Sequence, residues 1–337
     1  MSQSVSIIGA GVAGLTCACE LVDRGFDVSI YERAARLGDS ACSWYAGGML
    51  APWCEKESAE QAVVESGLIA ADWWQAHTNQ VSRNGSLVIS PKRDLRELKR
   101  FARLTETWRW VSREEIAELE PDLGERFEQG LFFETEAHLD PRLALKDLQH
   151  YLMSRNVSVQ FGTEASVEEL RAASADDIVI DCRGFSARDH LTELRGVKGE
   201  MLILKSEEFQ LSRPIRLVHP RYPMYLVPRG NQHFMLGATM IESNQRNRIT
   251  ARSMLELLSA AYAVHPQLGE AEIVETGVDV RPSFGDNLPA VQRGEQNRVL
   301  YVNGLYRHGF LLSPAMAKQV ADAVTKPDLI AGLPLCA

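Results

Sequence analysis

The sequence predicts a mixed α/β chain, α+β overall, with a parallel sheet in one domain and a mainly antiparallel sheet in a second. Three observations predict it. The first 32 residues read strand, glycine-rich turn, helix, strand; further buried strands lie near 157–182 and 298–303; and a hairpin pattern, Met224–Pro228 followed by His233–Met240, falls between them. A strand–helix–strand opening belongs to parallel sheets, whereas hairpins pair antiparallel. At ~150 residues per domain, a chain of 337 residues holds about two. Because parallel-type strands flank the hairpin on both sides, the domains are expected to interleave. The expected division gives 1–80, 137–195 and 281–337 to the first domain and 81–136 and 196–280 to the second.

The elements follow in order. Ser4–Ile8 is an apolar strand, and the helix after it runs from Val12 to about Asp23, with Gly25 suited to the left-handed residue beyond its end. A second strand over 27–31 stops at Glu32. Residues 58–80 read as one helix carrying Trp73 and Trp74, 85–90 as a strand, 94–108 as a charged helix and 113–120 as a short one. A helix over 143–155 leads into the strands 157–161 and 177–182. Residues 250–264 form a helix and 278–281 the end of a strand. The strand 298–303 passes through a turn over 304–312 into the last helix, with Ser313 as N-cap and Pro314 at its first position.

Composition narrows the function. Lys and Arg number 36 against 45 Asp and Glu, a net charge of -9. Such a surface repels phosphate backbones and anionic lipid, so nucleic acid is not an expected partner. No apolar run of ~18 residues is present to span a membrane. The strand starting at residue 4 is expected to leave no room for a cleaved leader. The six cysteines form neither C-x-x-C nor a zinc-like cluster with histidine, so reduced thiols in a cytoplasmic protein and no metal are expected.

Gly9-Ala-Gly11-Val12-Ala13-Gly14 is a G-x-G-x-x-G segment between a strand and a helix, and Glu32 closes the next strand. In that context the motif is a strong Rossmann-like dinucleotide signature. The first glycine makes the turn, the second lets backbone approach a pyrophosphate, and the third lets helix and strand pack closely. The helix N-terminus offers free N–H groups to phosphates. Glu32 suits ribose hydroxyls and would repel a 2′-phosphate, which disfavours NADP. Two features favour FAD over NAD: the second small-residue loop, Ser43 through Pro52 with Ala46-Gly47-Gly48-Met49, and the terminal strand–turn–helix over 302–320, whose helix end could face another part of the cofactor. Only one fingerprint is present, which suggests that an organic substrate reduces the flavin directly.

With these motifs in view, the sequence resembles the glycine oxidase branch of the D-amino-acid oxidase flavoprotein family, the branch tied to thiamin thiazole synthesis. The resemblance extends over most of the chain. It is carried by the 9–14 fingerprint, Ala46–Leu50, Gly199-Glu-Met-Leu202, Tyr225-Leu-Val-Pro228, Gly237-Ala-Thr-Met240, Arg281-Pro282 and Arg307-His-Gly-Phe-Leu-Leu-Ser-Pro314. It implies noncovalent FAD and oxidation of glycine or a similar small amine to an imine, with O2 reduced to H2O2. Water then releases glyoxylate, unless the imine passes to thiazole synthesis enzymes. It also implies a homo-oligomer, a tetramer or dimer. By this similarity Arg281 holds the substrate carboxylate, and Tyr225, Met240, Met49 and Arg307 belong to the substrate pocket. Val12, Ala13, Glu32, Arg33, Cys42, Ser43, Gly47, Gly48, Met49, Ala165 and the 305–311 turn, with Arg307, His308, Gly309, Phe310 and Leu311, contact FAD. Cys42 and Ala165 depart from the usual pattern, which has a small hydroxyl residue and a valine there. A sarcosine or D-amino-acid oxidase or dehydrogenase of the same fold is the alternative.

The residues support a pocket on their own terms. Arg281 is set by Pro282, and its planar guanidinium can grip a carboxylate through two parallel hydrogen bonds. Its other use would be an ion pair with Asp279 or Asp286. A four-residue hairpin loop, 229–232, would set Pro228 opposite His233 and Tyr225 opposite Leu236, so that Tyr225 and Met240 leave one side of the sheet. The expected chemistry is hydride loss from Cα, with the protein supplying orientation and electrostatics. No residue is assigned as a base; Tyr225 has a positioning role. His219, His233 and His308 read as structural or surface residues.

Overall fold

The computed structural model describes residues 3–174, 176–295 and 298–336. Among them, six strands form a mostly parallel sheet in the order Ala290–Arg293, Val299–Asn303, Ile178–Asp181, Ser4–Ile8, Asp27–Glu32, Val159–Phe161. Only Ala290–Arg293 runs antiparallel to its neighbour. Ser4–Ile8 lies at the centre, paired with Asp27–Glu32 on one side and Ile178–Asp181 on the other. Its helix, Val12–Asp23, starts just above the strand's carboxyl end. Leu15, Ala18, Cys19 and Leu21 of that helix are all fully buried, so it is apolar on more than one face, as a helix covered on all sides must be. Each buried Leu contributes about 1.5–3 kcal/mol. The main partner is the last helix, Gly309–Thr325.

Among the described residues, the second sheet has nine strands. Its longest ladder pairs Arg195–Lys205 antiparallel with Glu272–Ser283, and the remaining strands come from 86–133 and 215–242. One pair, Ile215–Leu217 with Ser86–Ile89, is parallel. A separate apolar cluster underlies this sheet, built on Phe132, Phe209, Phe234, Leu202 and Leu257. No helix among the described residues is long and apolar enough to cross a membrane.

Several elements differ from the sequence reading. The 58–80 segment is two helices, Gln61–Gly67 and Ala70–His77; Gly67, at the end of the first, sits against Leu311, where a Cβ would come within 2.9 Å of that side chain. The charged helix ends at Leu104, and Arg109–Ser112 becomes an edge strand. The last helix begins at Gly309, with His308 as N-cap, and Pro314 lies inside it. Proline removes the N–H that would reach the carbonyl four residues back. That carbonyl is Phe310's, and it accepts instead from the indole Nε1 of Trp74 at 2.7 Å. Ser313 is buried within the helix rather than capping it.

The hairpin register is also shifted by one. Arg229 N–H bonds the carbonyl of His233, so the loop is the three residues 230–232, and Tyr225 faces Gly237 rather than Leu236. The strand stops at Gly237, so alternation does not carry to Met240. Shared sheet side therefore gives no support for placing Tyr225 and Met240 together. Asn231 and Gln232 take positive φ in this tight loop, a conformation that the four-residue reading did not require.

Candidate functional site

A cleft opens at the carboxyl end of the parallel sheet, where ligands of open α/β sheets bind. It is walled by the glycine-rich turn, Glu32 and Arg33, residues 40–47, 163–165, 182–186, the 279–282 end of the long strand and the 302–310 turn. Counting its open mouth, it holds about 1480 Å3. Of the residues the sequence pointed to, Gly9, Gly11, Val12, Ala13, Glu32, Arg33, Cys42, Ser43, Gly47, Ala165, Tyr225, Arg281, Arg307, Gly309 and Phe310 line it.

The three glycines serve different ends. Gly9 has φ +101°, and a Cβ there would strike the Cys182 carbonyl at 2.8 Å. Gly14 is needed for packing between helix and turn and does not line the cleft. Gly11 has an ordinary extended backbone, φ -74° and ψ -175°. A Cβ on it would meet nothing closer than Ala41 at 3.7 Å, so no protein atom forbids a Cβ. The space above Gly11 is kept clear for what the cleft holds, and a dinucleotide pyrophosphate on the helix end fits it. Glu32 Oε2 accepts from Ala10 N–H at 2.9 Å, and its Oε1 from Ala34 N–H and the Ser40 hydroxyl, both at 2.8 Å. Glu32 thus shapes the turn while lining the cleft. Ser43 Oγ accepts from Val12 N–H at 3.3 Å, at the helix start. The Cys42 thiol is pushed up to about 12 by burial, with Asp279 adding to the effect, so it stays protonated at neutral pH.

Toward the second sheet, the guanidinium of Arg281 lies over Gly199: a Cβ there would come within 2.2 Å of Nη2. Nη1 donates to the Thr239 carbonyl at 3.0 Å. Arg281 forms no ion pair with Asp279 or Asp286; Asp279 pairs instead with Arg246 at 2.9 Å. Tyr225 packs so closely on Gly47 that a Cβ there would lie 2.9 Å from its ring. Tyr306 N–H bonds the Pro282 carbonyl at 3.0 Å, tying the terminal turn to the strand end that carries Arg281.

Other expected site residues lie off the cleft wall. Met49 packs beside Tyr225 and Tyr45 in a small apolar cluster. Gly48 has φ +71° and backs onto the Leu139 carbonyl. Leu311 is buried. Met240 is 56% exposed, with its Sδ 3.5 Å from both the Tyr306 hydroxyl and Arg307 Nη1.

Three residues were given no site role by the sequence; two lie behind the wall, and Asp279 is part of it. Glu55 is buried and takes an ion pair from Arg216, Arg307 Nη2 at 3.0 Å and His308 Nε2 at 2.8 Å. Burial alone would raise its carboxyl, but Arg216, Arg307 and His308 together hold it well below the usual range. Arg229, read only as a loop residue, is buried and donates to the carbonyls of Ala46 and Gly47 at 2.7 and 3.1 Å, bracing that loop. Burial lowers its pKa to about 10. Asp279 is the third. The signal available in sequence was a charged residue inside or beside an apolar segment, which alone does not say what it meets.

Comparison with known proteins agrees with the cleft. The family model described as FAD dependent oxidoreductase (DAO) matches residues 4–323. A Rhizobium etli protein named as thiamine biosynthesis oxidoreductase ThiO is 52% identical over 320 residues, 94% of this chain and 95% of its own. Bifunctional protein ThiO/ThiG of Trichormus variabilis is 24% identical over 97% of this chain but only 53% of its own, so the chain spans about half of that relative. The solved glycine oxidase from Geobacillus kaustophilus has a TM-score of 0.78 at 22% identity, over 96% of this chain and 95% of its own. At that identity the likeness is one of fold.

Proposed function

The chain belongs to the FAD dependent oxidoreductase (DAO) family, and from that premise we propose that it oxidises glycine to the imine, reducing O2 to H2O2, to supply the thiazole of thiamin. FAD is the cofactor of this amino acid oxidoreductase. Bound, it accepts two electrons from the substrate's Cα–H bond. The glycine turn and Glu32 would hold its dinucleotide end; residues 42–47, Arg33, Ala165 and the 307–310 turn would complete its bed.

The observation that carries this reading is the position of Arg281. Its guanidinium shares the cleft with the fingerprint and meets no carboxylate of the chain among the described residues. A substrate carboxylate fits the open edge through two charge-assisted hydrogen bonds. Tyr225, fixed against Gly47, then limits how large a side chain Cα can carry. Arg307, held by Glu55, and Met240 stand at the rim. Met49 supports Tyr225 from behind.

The same proposal divides the chain into a cofactor domain, 1–80, 137–195 and 281–337, and a substrate domain, 81–136 and 196–280. It rests on the two sheets drawing their strands largely from those segments. The thiamine biosynthesis name of the 52% identical relative supports passing the imine to thiazole synthesis enzymes. Six free cysteines fit a reducing cytoplasm. A homo-oligomer, tetramer or dimer, completes the reading and is open to sedimentation.

The test is colour and product. Purified protein should be yellow, bleach anaerobically with glycine, and release peroxide from glycine faster than from sarcosine or D-alanine. A yellow protein inert to glycine but active on sarcosine or D-alanine would move the assignment to another oxidase of this fold. Inertness to all three would end it.

A further inference from the structure

We propose that Asp279 receives the substrate's amino group, as the counterpart of Arg281 for its carboxylate; the inference rests on the reading of Arg281 given above. The two residues lie two apart on the strand Glu272–Ser283, so their side chains leave the same face, and both line the cleft. Opposite Asp279 on the paired strand stands Gly199, the residue whose missing side chain makes room for the Arg281 guanidinium.

Each member of the pair has unspent capacity. Among the described residues Arg281 donates only from Nη1, to the Thr239 carbonyl. The Asp279 side chain is 10% exposed, and both of its contacts fall on Oδ1: the N–H of Val280 at 2.7 Å and Arg246 Nε at 2.9 Å. Oδ2 accepts no hydrogen bond among the described residues. That oxygen is not among the sealed, unpartnered polar atoms of the structure, so it is left accessible to a further donor. A wall built for a simple anion would gain nothing from a carboxylate beside its guanidinium. A guanidinium edge and a carboxylate oxygen side by side match the carboxylate of a small amino acid and the N–H groups of its neutral amine.

The groups facing Asp279 are Arg246, Arg33, Arg281 and the protonated Cys42 thiol. Burial raises its carboxyl and the three arginines oppose the rise.

The placement also suits the reaction. The reacting amine is neutral. As a hydride leaves Cα for the two-electron acceptor, the nitrogen lone pair closes the C=N bond and nitrogen becomes positive. A carboxylate at that nitrogen therefore binds the transition state more strongly than the neutral amine before it.

The experiment compares holoenzyme with Asp279→Asn and Asp279→Glu, using acetate, a carboxylate without an amine, as the probe of the Arg281 side. Asp279→Asn should keep its flavin absorbance and perturb it with acetate as the parent does, while kcat for glycine falls roughly ten- to a hundredfold. Asp279→Glu should recover part of the loss. Glycine turnover within twofold of the parent in Asp279→Asn overturns the inference. So does loss of flavin from the variant with normal turnover once FAD is added back, since the carboxylate then serves the cofactor. If acetate fails to perturb the parent protein itself, the reading of Arg281 falls and takes this one with it, a pattern unlike the other two.

Discussion

A Cβ on Gly14 would lie 1.9 Å from the carbonyl oxygen of Gly9. The first and third glycines of the fingerprint are thus bound to each other by protein packing, while Gly11 between them is not. Gly14→Ala should lower the stability of the apoprotein, by about 1–3 kcal/mol, as overpacking does. Gly11→Val should lower apoprotein stability by only about 1 kcal/mol, through a poorer N-cap, yet give a colourless protein. Denaturant titration with FAD absorbance separates the two, and a fully loaded Gly11→Val protein would contradict the clearance assigned to that residue.

Arg281→Ala should raise KM for glycine by an amount equivalent to about 3–5 kcal/mol, because a buried carboxylate would lose its partner. FAD should stay bound, since Arg281 stands on the substrate side. Steady-state kinetics with flavin absorbance checks both halves; an unchanged KM removes Arg281 from the pocket.

Glu55→Gln should destabilise the fold by about 3–5 kcal/mol, since Arg216 would remain buried without its counter-charge. It should also raise KM, because Arg307 loses its anchor at the rim. The pH dependence follows from the depressed carboxyl of Glu55. Its stabilisation is fully present above the ordinary value of 4.5 and disappears as pH falls from there through the lower folded-state value. Urea midpoints measured between neutral and strongly acidic pH should fall more steeply for the parent than for the variant.

Trp74→Phe keeps most of the packing against Phe310 but leaves that residue's carbonyl without a donor. The expected loss is about 1–3 kcal/mol. Replacing Pro314 by Ala in the same background should recover part of it, because the helix then supplies its own N–H. A double-mutant cycle reads the coupling.

The opening of the fold was legible because its signals are local. The strand Ser4–Ile8, the glycine turn and the helix to Asp23 each announce themselves within a few residues. Arg281 was singled out by the family resemblance rather than by a local signal. What was not legible depends on partners far along the chain. Pro314 reads as a helix start until Trp74 is found beside Phe310, and the hairpin's register turns on one residue of loop length that composition does not fix. Strand Arg195–Lys205, the spine of the second sheet, was missed: its first half carries Lys198, Glu200 and two glycines, and only the pairing with Glu272–Ser283 reveals it. Glu55 and Asp279 were invisible for a like reason, since a carboxylate declares its purpose through the cations around it.

The central strand Ser4–Ile8 has one neighbour that follows it closely and another, Ile178–Asp181, supplied much later, while the far wall of the cleft waits for Gly309. During synthesis, then, the coenzyme's bed is missing a side until nearly all of the chain has emerged from the ribosome. A chain stalled before the last helix would leave bare the face of its first helix that Gly309–Thr325 otherwise covers.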